Sequence, residues 1–121
     1  MPYNLKYGRT EFKGGKNILA STHLQFREVG GTLDATKFPV GLVEVGTCLG
    51  LNGTSGKFEP FTDAGTFTDF AILNVDFEND GENDTVVGEL IIRGSVYGAK
   101  LVGVTTKFKT ATPLIRYVYQ V

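Results

Sequence analysis

The chain offers few residues that could do chemistry. It has one histidine, His23, and one cysteine, Cys48. His23 falls in a stretch that reads as a strand, with Leu24 and Phe26 on the opposite face. No nucleophile or carboxylate at a telling spacing marks it as a general base. Cys48 lies inside the apolar run Val45–Leu51, where a free cysteine acts as a small buried hydrophobe and has no intramolecular disulfide partner. One histidine and one cysteine cannot build a structural zinc site, which normally takes four such ligands. No catalytic residue and no cofactor are expected.

Two segments imitate ligand-binding motifs and then depart from them. Asp76, Glu78, Asp80 and Gly81 follow the opening of a calcium loop, with Asp84 as a further carboxylate. The twelfth position from Asp76 is Val87, where a bidentate glutamate is required, and the flanks read as strands. A solvated loop is therefore the expected role for Asp76, Glu78, Asp80 and Asp84, with weak calcium binding as the alternative. Gly50-Leu51-Asn52-Gly53-Thr54-Ser55-Gly56-Lys57 resembles a phosphate loop, but its spacing is wrong. Phe58 also stands where Ser or Thr should hold the metal. A hairpin turn is expected there.

Charge is segregated along the 121 residues although the net value is only −1. Residues 1–30 hold five basic side chains against two acidic, residues 31–90 hold Lys37 and Lys57 against eleven carboxylates, and residues 91–121 hold five basic side chains and no acid. Lys100, Lys107, Lys109 and Arg116 alternate with Phe108 and Tyr117, as on a nucleic-acid surface. The acidic middle argues against that partner. Segregated charge instead suits a protein that docks in one orientation on charged neighbours, with self-complementarity within the fold as the alternative.

The elements that must position these residues are strands. Sixteen glycines cut the chain into segments shorter than a typical helix, and those segments are rich in Val, Ile, Phe, Tyr and Thr. Strands are expected at His23–Glu28, Val45–Leu51, Lys57–Phe61, Asp69–Phe77, Thr85–Arg93 and Ile115–Val121. The last begins after Pro113. Asp69–Phe77 reads as half-buried and pairs with Thr85–Arg93 as a hairpin with a polar connection. Helix is limited to a turn or two, at Ala99–Lys107 or Asp34–Phe38. No run approaches the roughly 20 apolar residues of a membrane span, so no membrane partner is expected. The start, Met1-Pro2-Tyr3-Asn4-Leu5-Lys6, lacks the layout of a secretory signal, which fits synthesis in a cytoplasm.

At the amino terminus, Tyr3, Leu5 and Tyr7 alternate with Asn4 and Lys6, and Gly8, Gly14 and Gly15 follow. Two readings stand together: an edge strand of the same domain, or an extended arm that adds to a partner's sheet through main-chain hydrogen bonds. The chain divides accordingly into an arm, 1–17, and a β-rich domain, 18–121.

The order of segments from Phe38 to Leu101 resembles the head decoration, or capsid cement, proteins of tailed bacteriophages of the lambda-like family. The resemblance runs through Phe38-Pro39-Val40-Gly41, Val45-Gly46-Thr47-Cys48-Leu49-Gly50 and Gly56-Lys57-Phe58-Glu59-Pro60. It continues through Asp63-Ala64-Gly65-Thr66, Phe70-Ala71-Ile72-Leu73 and Glu89 to Tyr97. It implies a mainly β, single compact domain of β-tulip or barrel-like form, with little helix and an extended amino-terminal arm. It further implies a homotrimer on the outer surface of the expanded head, bound to the major capsid protein and stabilising the shell against DNA pressure. Tyr3, Leu5, Lys6, Tyr7, Arg9 and Phe12 would then contact the capsid. Arms of that family are usually rich in Ser, Thr and Pro, and this one is not. A carbohydrate- or calcium-binding module of a virion fibre, or a head-tail joining or tail-tube subunit, are the competing expectations.

Overall fold

The computed structural model describes residues 17–21 and 23–119. The fold is mainly β, 42% strand and 9% helix, with its main sheet curled into a half-barrel. The strands are β1 (Gln25–Phe26), β2 (Gly31–Leu33), β3 (Gly41–Val43), β4 (Cys48–Asn52), β5 (Lys57–Pro60), β6 (Asp69–Leu73), β7 (Phe77–Asn79), β8 (Thr85–Val87), β9 (Leu90–Tyr97) and β10 (Ile115–Val118). A 3-10 turn, Gly98–Lys100, follows β9, and an α-helix, α1 (Thr106–Ala111), precedes β10. The main sheet runs β1-β9-β6-β4-β5-β2-β8, β10 adds to β9 in parallel, and β3 and β7 form a separate antiparallel pair.

Turn chemistry sets the β4–β5 hairpin, as the Asn52–Gly56 segment leads one to expect. The Asn52 carboxamide oxygen accepts N–H bonds from Thr54 and Ser55 at 2.8 and 3.3 Å, and the Asn52 carbonyl accepts from Gly56 at 2.8 Å. Such an Asx turn closes a tight reversal without help from the rest of the fold.

Strand β9 changes partners along its length. Its first half pairs with β1 and β6, and from Gly94 onward it pairs with β10. Gly94 sits at φ +143°, and a Cβ there would come within 2.9 Å of Leu24. Only glycine lets the chain bend and pass Leu24 so closely.

Alternation along the central strands feeds two cores rather than one. Leu49, Ala71, Leu73 and Leu90 join Leu33, Phe58 and Val87 from strands at the far end of the sheet. Side chains from both ends can meet only on the concave side, so this cluster fills the half-barrel. Cys48, Ile72, Ile91 and Val96 point the other way and are covered by Ile18, Phe108 of α1 and Ile115 of β10. Phe108 stacks edge-on against Phe61, ring centroids 5.0 Å apart. The strand at Asp69–Leu73 is thus buried on both faces, not half-buried as its pattern suggests, because the convex side is roofed by chain from the two ends of the sequence.

Arg27, in the turn after β1, ties the seam. Its Nε donates to Asp69 at 3.0 Å, its Nη1 donates to the carbonyl of Gly30 at 2.7 Å, and its guanidinium lies over the Phe58 ring.

Several expected boundaries shift. Asp69–Phe77 splits at Asn74–Asp76 into β6 and β7, and Thr85–Arg93 splits at Gly88–Glu89 into β8 and β9. The expected pairing holds between β6 and β9, whereas β8 pairs with β2. A 3-10 turn forms at Gly98–Lys100 and helix at Thr106–Ala111, where the Thr105 hydroxyl caps the N–H of Phe108; Asp34–Phe38 forms a turn closed by the Lys37 N–H on the Asp34 carbonyl at 3.0 Å.

Candidate functional site

The residues that could do chemistry are dispersed. His23 is exposed in a shallow recess beside Arg93, whose cationic head is no partner for a general base. Cys48 is 1% exposed, and burial pushes its thiol up to about 12. Lys57, the last residue of the phosphate-loop imitation, bonds to Asp84 at 2.6 Å on the β5 side of an ordinary hairpin.

Three of the four carboxylates of the calcium candidate accept backbone N–H groups, and the four do not converge. Asp76 accepts the N–H of Val45 at 2.7 Å, and Asp84 accepts the N–H of Ala35 at 2.9 Å. Asp80 accepts the N–H groups of Glu82 and Asn83, each at 2.8 Å, and these bonds draw its carboxyl down to about 2. Glu78 lies exposed in β7, opposite Leu42. Among the described residues no three His, Cys, Asp or Glu side chains come together to hold a metal.

The sequence's charge blocks become spatial. Elements over the convex face carry Lys100, Lys107 and Lys109, with Asp63 bonded to Thr105. Segments around the concave core carry Asp34, Asp76, Glu78, Asp80, Glu82 and Asp84 against Lys37 and Lys57. These lysines thus sit on elements over one face of the curled sheet and these carboxylates in segments around the other.

The expected capsid-contact residues Tyr3, Leu5, Lys6, Tyr7, Arg9 and Phe12 lie outside the described residues. The place where their segment joins the domain is well defined. Ile18 is fully buried, its carbonyl accepts the N–H of Tyr97 at 2.8 Å, and Leu19 bridges to Val96. The Lys100 ammonium donates to the carbonyl of Asn17 at 3.1 Å and lies 5.0 Å from the centre of the Tyr97 ring. Nearby, Gly98 meets the ring of Tyr119 so closely that a Cβ would fall 2.3 Å from it. Lys109 sits 4.3 Å from the Tyr119 ring and 5.7 Å from the Tyr117 ring. The Tyr117 and Thr112 hydroxyls are 2.6 Å apart, and burial pushes the Tyr117 phenol up to about 12. Cations over tyrosine faces at the root of a basic segment make a positively charged, aromatic platform.

A second surface was not singled out by sequence. A groove of about 390 Å³ runs between β3 and a wall formed by Thr47, Pro60 and Val102. Phe38 and Pro39 close one end, and the Asn79 carboxamide donates to both their carbonyls, at 3.0 and 3.1 Å. Leu42, Val43 and Glu44 all line it. Consecutive residues of an extended chain point to opposite faces, so a groove that touches all three follows the strand's edge. Leu42 and Val102 are exposed in its walls, at 43% and 44%. Only the run Val40, Leu42, Val43 hinted at it, and a run that short does not say which side faces water.

No helix among the described residues is long and apolar enough to cross a membrane. No protein-family model matches the chain, and no curated protein or solved structure matches it.

Proposed function

We propose that the protein is a structural virion subunit that binds the outer surface of a tailed-phage head, as a trimer at three-fold and quasi-three-fold positions, and stabilises the shell. The observation that carries this reading is the opposition of charge across the curled sheet, with the amino-terminal segment rooted on the basic, tyrosine-bearing side. A subunit so built meets a charged lattice in one orientation, because wrong approaches bring like charges together. Repetition over a symmetric shell then gives strong retention from individually modest contacts. The resemblance over Phe38–Leu101 supplies the partner, the major capsid protein.

The segment 1–16 would add as a strand to the shell, with Tyr3, Leu5 and Tyr7 in pockets and main-chain bonds supplying affinity. Sedimentation with expanded heads tests this. The full chain co-sediments, and a variant lacking residues 1–15 stays in the supernatant while keeping the β-sheet circular dichroism of the full chain. Undiminished co-sedimentation of the folded truncated variant contradicts the arm's role.

A further inference from the structure

The groove beside β3 needs an occupant with particular properties. Apolar side chains border it, and among the described residues β3 pairs only with β7, so no described strand covers its other edge. An open edge flanked by exposed apolar side chains is a surface that proteins normally cover. The occupant should therefore be an extended segment with apolar side chains on one face, matching the Phe38, Pro39, Leu42, Val43, Pro60 and Val102 lining.

One segment of the chain itself has this chemistry. In residues 1–16, Tyr3, Leu5 and Tyr7 alternate with Asn4 and Lys6. Its root is close to the groove. Asn17 is bonded to Lys100, Val102 of the groove wall lies two residues further on, and the Val102 N–H donates to Gly46, which packs against Ile18. Residues 8–16 can span up to about 30 Å when extended, ample for the return.

We propose that the groove between β3 and Val102 receives the chain's own strand Tyr3–Tyr7, which pairs with the open edge of β3 and places Tyr3, Leu5 and Tyr7 against the apolar walls. Asn4 and Lys6 then face outward, away from the groove. The inference stands whether or not a capsid is the external partner, since it concerns the free protein.

The full-length Asn4→Cys variant carrying a nitroxide label tests it. Cys48 stays unlabelled in the folded protein because it is buried. The methyl signals of Leu42, Val43 and Val102 should broaden at least several-fold more than those of Val86 and Leu114, which are exposed elsewhere. Adding Leu42→Lys, at a position already open to water, should remove the selectivity while the circular dichroism is unchanged. Equal broadening at all five residues, or none, overturns the proposal and leaves the groove to another partner. Selectivity that survives Leu42→Lys overturns it as well.

Discussion

The carboxamide nitrogen of Asn79 donates to the carbonyl of Phe38 at 3.0 Å from a side chain that is only 3% exposed. The same nitrogen reaches the carbonyls of Ala35 and Pro39, and the Asn79 oxygen accepts the N–H of Gly81. One buried amide thus holds an irregular loop in place of a strand ladder and fixes one end of the groove. Asn79→Ala leaves buried carbonyls without a donor and should cost about 2 kcal/mol in denaturant unfolding. Asn79→Asp should be worse at neutral pH, since a carboxylate facing carbonyls cannot donate. It should recover toward acid as the carboxyl protonates.

Arg27 bonds to Asp69 and to the Gly30 carbonyl while covering the Phe58 ring. Because the ion pair is partly open to solvent, Arg27→Ala should cost about 1–2 kcal/mol, measured by thermal or chemical unfolding. Arg27→Lys should recover little, as an ammonium cannot make both bonds and lie flat on the ring.

Cys48 should be chemically silent in the folded protein. With its thiol pushed up to about 12 by burial, almost no thiolate exists at pH 8. A thiol reagent should therefore modify the native protein orders of magnitude more slowly than the protein in denaturant. Comparable rates would mean that the core around Cys48 opens readily.

Asp80 should titrate near 2, because the N–H groups of Glu82 and Asn83 and the Asn83 carboxamide all donate to its carboxylate. A folded-state value below the ordinary one of 3.8 means that the loop is stabilised above about pH 4. That stabilisation is lost as pH falls toward 2. Carboxyl carbon shifts followed by NMR should show the low midpoint, and the Glu82 and Asn83 amides should move with it. A midpoint near 3.8 would contradict the loop geometry.

Strands were legible where pattern and turn chemistry agree, as at Cys48–Asn52 and Lys57–Pro60 around the Asn52 turn. They were not legible where three residues suffice, as in Gly31–Leu33 and Gly41–Val43, whose order comes from distant partners at Val87 and Phe77. The double core was hidden because Ile72 and Leu73 are both apolar, and periodicity alone cannot say that each belongs to a different cluster. Of the expected span Ala99–Lys107, only its two ends are helical, in the 3-10 turn Gly98–Lys100 and in α1, which the Thr105 cap starts at Thr106. Of the candidate site, the sign of each charge block was readable. Its placement on opposed sides of one sheet required the fold, as did the groove.

The central claim is that this chain sits on the outside of a phage head, and electron cryomicroscopy of the assembled particles tests it most directly. The account predicts density matching the curled half-barrel on the outer face at three-fold and quasi-three-fold positions, with the root at Asn17 turned toward the shell. Density confined to the tail, the portal or the interior, or absent from the particle, would contradict it.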